Sequence, residues 1–153
     1  MDTIDPGCGK RTKGSYVLAL SLAEGRRLSV GKLGTFDFPA GCYLYFGSAL
    51  NGLEARISRH LRRDKKLHWH IDFLTQAALV LQVWWKADLR RLECSWAKAA
   101  IEQEAVTIPA AGFGSSDCRC IAHLVHLDMW SQVAALGATL TVNLQVFNLN
   151  ILS

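Results

Sequence analysis

Residues 42–61 read Cys42-Tyr-Leu-Tyr-Phe-Gly-Ser-Ala-Leu-Asn-Gly-Leu-Glu-Ala-Arg-Ile-Ser-Arg-His-Leu61, and the change of rhythm inside them decides the fold class. Up to Gly47 the side chains alternate, with Tyr43, Tyr45 and Gly47 on one face and Cys42, Leu44 and Phe46 on the other, the period of a strand. From Leu53 onward, Leu53, Ile57 and Leu61 recur at helical spacing and form one apolar stripe. Arg56 and His60 fall at the edge of that stripe, with Arg59 and Arg63 a little further round. A strand therefore hands the chain through Asn51-Gly52 to a helix expected to last to about Arg63. The basic run continues to His70, with six Lys/Arg and three His between Arg56 and His70. A cation at the border of a core is costly unless an anion faces it, and a phosphate suits that placement. The plainer reading is a solvated basic face.

Working outward, Ser15–Leu22 is strand-like with Tyr16, Leu18 and Leu20 on one face, and Leu28–Leu33 is a second such run. With Cys42–Phe46 they predict an antiparallel meander. Leu67–Gln76 reads as a short helix and Leu79–Trp85 as a buried strand rich in β-branched and aromatic residues. Leu89–Ala105 is helical, with Leu92, Trp96, Ala99, Ala100 and Gln103 on one face. A Gly/Ser-rich loop, Gly112–Cys120, precedes the apolar run Ile121–Leu127. Leu140, Val142, Leu144 and Val146 alternate against Thr141, Asn143 and Gln145 as one more strand, an aggregation or dimerisation edge if left uncovered. The expected fold is α/β (α+β), with a small, mostly antiparallel central sheet flanked by helices. Residues 1–13 read as a flexible polar leader, 14–127 as the main domain and 128–153 as a C-terminal helix/strand extension.

Composition narrows the function. The chain has 153 residues, is half hydrophobic and a fifth charged, and carries a formal net charge of +4, which describes one ordinary globular domain. Its excess positive charge is concentrated in one segment, the electrostatic footprint of a nucleic-acid binder. No apolar run is long enough to span a bilayer, and the first residues lack the basic-then-apolar layout of a signal peptide. Five cysteines, an odd number outside a short secreted scaffold, point to reduced thiols and a cytoplasmic protein.

Four pieces combine into candidate chemistry. Tyr16 follows Gly14-Ser15 at the start of the first strand, and Tyr45-Phe-Gly47 ends the third. Arg56 and His60 lie one helical turn apart, and Glu93 opens the later helix beside its buried stripe, next to Ala97 and Ala100. If the tyrosines lie on adjacent strands, a phenol, a guanidinium, an imidazole and a carboxylate converge. Those groups suit phosphodiester hydrolysis. Glu93 can hold one Mg²⁺, or another divalent cation such as Mn²⁺, which polarises a phosphoryl oxygen. Arg56 offers a planar, always charged fork to the phosphate. Tyr16, a phenol with a free pKa of about 10, needs adjacent cations before it takes a proton from water, and His60 can relay or donate a proton.

The order Gly14-Ser-Tyr16, Tyr45-Phe-Gly47, Arg56 with His60, and a helix-borne Glu resembles the GIY-YIG nuclease superfamily. The runs Tyr45-Phe-Gly-Ser-Ala49, His68-Trp-His-Ile-Asp-Phe-Leu74 and Gly112-Phe-Gly-Ser-Ser-Asp-Cys118 resemble its Uri-like endonuclease branch, over roughly Gly14 to Leu127. The resemblance implies a metal-dependent endonuclease acting on DNA in repair or processing. It makes Tyr16 the general base, Tyr45 a second active-site phenol, Gly47 a close-approach turn, Arg56 a phosphate ligand and His60 an accessory group. The metal-binding Glu is Glu93, with Glu102 and Glu104 as alternatives. Gly47, Ser48, Arg59, Arg63, Lys65, Lys66, His68 and His70 are the expected nucleic-acid contacts. Departures are Ser15 in place of the family's usual Ile, a longer loop between the tyrosine motifs holding an extra strand, and no clear late Asn beyond Asn143 or Asn148.

Other readings compete. Tyr16 and Tyr45 taken singly are ordinary strand aromatics, and Glu93 alone is a first-turn acid facing the helix dipole. Cys118-Arg-Cys120 with His123, and Cys94 or His126, invites a zinc reading. The one-residue spacing is tighter than usual, so buried thiols under the Gly-rich loop are expected instead. That loop could also form a nest of backbone N–H groups for phosphate. The rival function is a catalytically inactive nucleic-acid-binding module of the same fold. DNA is the expected partner, alongside a second copy or a repair protein, and no membrane.

Overall fold

A computed structural model describes residues 12–140 and the backbone of residues 145–148. Its centre is an antiparallel sheet in the order β6-β4-β1-β5-β7, built from β1 (Gly14–Leu22), β4 (Gly41–Ala49), β5 (Leu79–Ala87), β6 (Leu124–Leu127) and β7 (Gln145–Asn148). β2 (Arg26–Val30) and β3 (Gly34–Phe38) form a separate two-stranded ribbon. The expected meander is therefore corrected. β1 and β4 pair directly along nine residues each, from Gly14 opposite Ala49 to Leu22 opposite Gly41, and the chain between them leaves the sheet as a hairpin of two strands rather than one.

Alternation along β1 and β4 gives the sheet two apolar faces. Tyr16, Leu18, Leu20 and Tyr43 pack with Leu53 and Ile57 of α1 (Leu53–Leu61) and with Ile71 and Leu74 of α2 (His70–Thr75). Val17, Ala19, Leu44 and Phe46 pack on the other side with Trp96, Ala97 and Ala100 of α3 (Glu93–Ile101) and Val133 and Leu136 of α4 (Trp130–Leu140). The result is three layers, with helices on both faces of the sheet. Among the described residues, no helix is long and apolar enough to cross a membrane.

Several boundaries differ from the sequence expectation, each for a local reason. α1 stops at Leu61 because Lys65 Nζ donates to the carbonyls of Arg59 (3.2 Å) and His60 (2.9 Å), satisfying acceptors that a further turn would have used. α2 begins only at His70, since Asp72 holds the preceding chain extended by accepting from the backbone N–H of His68 (2.7 Å) and Trp69 (2.8 Å). α3 starts at Glu93, after Asp88 closes a turn on the N–H of Arg90 (2.8 Å). Of the strand expected over Leu140–Val146, residues 141–144 lie outside the described residues, Leu140 is helical, and β7 covers Gln145–Asn148. β7 pairs with β5, Val83 opposite Phe147. Most of the expected leader lies outside the described residues, but the carbonyls of Thr12 and Lys13 accept from Leu53 (2.8 Å) and Asp88 (3.0 Å).

Asp72 is the fully buried anion around which the basic segment folds. Besides the two N–H groups, it takes a bidentate pair from Arg59 at 2.8 and 2.9 Å. Burial alone would raise its pKa, but the Arg59 fork and the two backbone donors outweigh that and hold it at about 2. A carboxyl depressed from about 3.9 in the unfolded chain contributes stability above that pH and loses it as pH falls to its folded value, here up to about 2 kcal/mol. Urea midpoints measured from pH 5 down to pH 2 should therefore show the wild-type advantage over Asp72→Asn shrinking across that interval.

Candidate active site

The register of β1 on β4 sets Tyr16 opposite Gly47 and Leu18 opposite Tyr45, so both phenols stand diagonally on one face, ring centroids 6.4 Å apart. Tyr16 crosses the bare backbone of Gly47. A Cβ there would lie 2.5 Å from Tyr16 Cζ and Oη, which no side chain other than glycine's allows. Ser15 faces the opposite way, and its Oγ accepts from the Leu92 N–H (2.9 Å) and bonds Ser48 Oγ (2.8 Å). Leu92 has no side-chain cap of its own to offer α3. A hydroxyl on β1 therefore caps the helix from outside it and sets Glu93, the helix's first residue, beside the sheet.

Behind Tyr16 lies His60, buried, with Nε2 2.6 Å from Tyr16 Oη. Burial, reinforced by the ammonium of Lys65, pushes the imidazole down to about 3, so at neutral pH it is uncharged. Burial pushes both phenols the other way. Arg56 opposes that rise at both, and the neighbouring Tyr16 raises Tyr45 further. Arg56 is braced by a bond from Nη1 to the Ser48 carbonyl (3.0 Å) and by the Trp69 ring, 4.4 Å from its guanidinium carbon.

Glu93 completes the group. Burial would raise its pKa, but His123, Ser48 and Arg91 together lower it, leaving a carboxylate. Its Oε1 is 3.1 Å from Arg91 Nη2 and its Oε2 is 3.4 Å from His123 Nδ1. Tyr16, Tyr45, Arg56 and Glu93 line a single cleft of about 340 Å³ together with Gly47, Ser48, His68 and His70. His60 does not line it but lies behind it, bonded to Tyr16 and packed against the rings of Tyr45 and Trp69. Glu102 and Glu104 are exposed and do not line the cleft.

The cleft also includes Arg91, which the sequence reading passed over, and Trp69, Gly114, Ser116 and Asp117, which lie in runs quoted above but were not singled out as site residues. Arg91 is the one with a signal, a cation two positions before the singled-out acid. The Gly/Ser-rich loop reaches the cleft, where the Gly114 N–H donates to His70 Nδ1 (2.8 Å). That amide is therefore engaged by a side chain.

Not all the basic residues arrive. Arg59 is paired to Asp72 and also donates to the Lys66 carbonyl (3.0 Å). The Lys65 side chain is only 2 % exposed, and Arg63 Nη1 donates to the Gln76 carbonyl (3.1 Å). Neither these three nor Lys66 lines the cleft. All three bond the protein's own acceptors, but Arg63 stays exposed.

The thiols expected to be buried under the loop are only half-buried. Cys94, Cys118 and Cys120 gather with His123 around one point. His126 is not in the cluster, as its Nε2 bonds the Ala40 carbonyl (2.9 Å). Asn143 lies outside the described residues, and only the backbone of Asn148 is described.

Comparison with known families matches residues 15–145 to the family described as domain of unknown function DUF123. The chain belongs to that family. No curated protein and no solved structure matches it. Tyr16, Tyr45, Arg56, His60, Glu93 and the thiol–histidine cluster all fall within the DUF123 match.

Gly47→Ala tests the geometry directly. Its Cβ forces the Tyr16 ring or the β4 backbone to move, at a cost of about 1–3 kcal/mol. Chemical denaturation should show that loss, and the Tyr16 and His60 ring resonances should shift while those of α4 stay in place.

Proposed function

We propose that the protein is a divalent-metal-dependent endonuclease that hydrolyses DNA phosphodiester bonds, as its resemblance to GIY-YIG nucleases implies. The observation that carries this reading is the cleft itself. Two phenols, a braced guanidinium and an ionised carboxylate from four separate elements face one space, with a neutral imidazole bonded to one phenol.

In this mechanism His60 Nε2 accepts the Tyr16 O–H, so the phenol oxygen keeps a lone pair for a water in the cleft. As that water attacks phosphorus, its proton passes to Tyr16 Oη while the phenol's proton moves transiently to His60 Nε2; because burial disfavours the imidazolium, that proton returns through Tyr16 Oη to solvent and restores the neutral pair. The P–O bond to the leaving nucleoside breaks, and the departing alkoxide is protonated by solvent. Arg56 binds the non-bridging oxygens, where its fixed charge opposes the charge that accumulates on them. Tyr45 donates to the same phosphate. Glu93 fits a hard cation, being an ionised carboxylate that lines the cleft, and Mg²⁺ keeps several waters beside one or two carboxylates. When bound there, the cation supplies Lewis-acid stabilisation of the leaving oxygen.

The cleavage test uses supercoiled and branched DNA with and without Mg²⁺ or Mn²⁺. Wild type should nick only with the cation, and Tyr16→Phe and Glu93→Gln should each lower the rate about 10²-fold or more. Both variants cutting at the wild-type rate would end the catalytic assignment. Tight binding without cleavage would support the inactive binding module.

Salt dependence gives an independent measure. With Arg59 and Lys65 tied to internal acceptors, the basic run offers Arg56, Arg62, Arg63 and Lys66, and the log–log slope on duplex DNA should be about −3 to −4 rather than the value near −5 for six contacts.

A further inference from the structure

Cys94 sits in the first turn of α3, and Cys118, Cys120 and His123 lie on the chain entering β6. Their ligand atoms all fall within 4.8 Å of one another. His123 Nε2 is 3.6 Å from Cys94 Sγ and 3.4 Å from Cys118 Sγ. A tetrahedral zinc centre, with Zn–S near 2.3 Å and Zn–N near 2.0–2.1 Å, sets about 3.6 Å between nitrogen and sulfur and about 3.8 Å between sulfurs. The cysteines are free thiols, with no disulfide among them.

Two more observations point to a ligand. His123 is 1 % exposed, yet its buried Nδ1 has no hydrogen-bond partner, although Glu93 Oε2 is 3.4 Å away. An imidazole bound to metal through Nε2 carries its proton on Nδ1 and turns it toward a carboxylate. The loop is also pinned where such a centre would need it. Gly112 N–H donates to the Ile121 carbonyl (2.7 Å), His123 N–H to Phe113 (2.7 Å), and Phe46 N–H to the His123 carbonyl (2.9 Å).

We propose that Cys94, Cys118, Cys120 and His123 hold one structural Zn²⁺, with Glu93 as the outer partner of His123. Three thiolates and an imidazole select zinc over magnesium, which takes oxygen ligands, so this centre is distinct in chemistry from any cation at the Glu93 carboxylate. Each thiol releases its proton to solvent as its sulfur bonds the metal. A groove bordered by Cys94, Lys98, Arg119 and Cys120 gives the ion access from solvent. The centre fastens the Gly/Ser-rich loop to the first turn of α3, and through Nδ1 it turns Glu93 toward the cleft. The site stands whether or not the protein cuts DNA.

The test uses the full chain purified without chelator. Metal analysis should give one zinc per chain, and replacement by Co²⁺ should give thiolate-to-metal absorption with tetrahedral visible bands. Cys118→Ser and Cys120→Ser should lose the metal, while Cys42→Ser, on β4 outside the cluster, should keep it. Glu93→Gln should keep it with affinity about 10–100-fold lower in competition with a chelator. If the cysteine variants fail to fold, wild type alone still decides: its clustered thiols should resist alkylation until a chelator is added. A metal-free wild type that takes up neither Zn²⁺ nor Co²⁺, thiols equally reactive with and without chelator, or full zinc in Cys118→Ser would overturn the site. Unchanged affinity in Glu93→Gln would overturn the role given to Glu93. None of these readouts involves DNA, so they stand or fall apart from the nuclease activity.

Discussion

Everything in the cleft follows from one pairing, β1 against β4 in the register that sets Tyr16 across Gly47. Strand side chains alternate, so a slip of β1 by one residue against β4 would turn Tyr16 to the face opposite Tyr45 and take it away from His60. In the native register both faces of β1 are used. One carries the phenol, and the other carries the hydroxyl that caps α3 and sets Glu93 beside it. The close approach at Gly47 lets a full aromatic ring lie flat over the neighbouring strand, and that contact fixes the ring within reach of His60.

The basic segment divides its charge between structure and surface. A buried carboxylate is tolerable only when its lone pairs are met, and Asp72 meets its own with the Arg59 fork and two backbone donors. Lys65 is used up on the carbonyls that end α1. What remains outward is smaller than the count of basic residues promises, while the cleft gains a cation from elsewhere in Arg91. Trp69 links the two uses, since the guanidinium carbons of Arg56 and Arg59 lie 4.4 and 4.3 Å from its ring centre.

Much of this was legible from local pattern. The alternation of Cys42–Gly47, the stripe of Leu53, Ile57 and Leu61, and the acid at the head of α3 each fixed a side chain's direction within its own element. The convergence of Tyr16, Tyr45, Arg56 and Glu93 followed once adjacent strands were assumed. Contacts between distant segments were not legible. Nothing near Asp72 marks it as the partner of Arg59, because the pairing depends on how the chain from Arg62 to Trp69 folds back. The thiol cluster was hidden for the same reason. The short Cys118–Cys120 spacing says nothing of how close α3 brings Cys94 to Cys118, Cys120 and His123, whose ligand atoms lie within 4.8 Å of one another. The ribbon was half-seen, because Gly34–Phe38, with its Gly, Thr and Asp, lacks the apolar run that marked the other strands.

The ribbon rests on α2, where the Phe73 ring lies beside Gly31, and shares no ladder with the main sheet. Its tip, with Gly31 and Lys32 exposed, is thus uncoupled from the strand alignment that builds the cleft. Residues can be added or removed there without shifting Tyr16 against Gly47, which makes the tip a tolerant junction for a fused domain or an affinity tag.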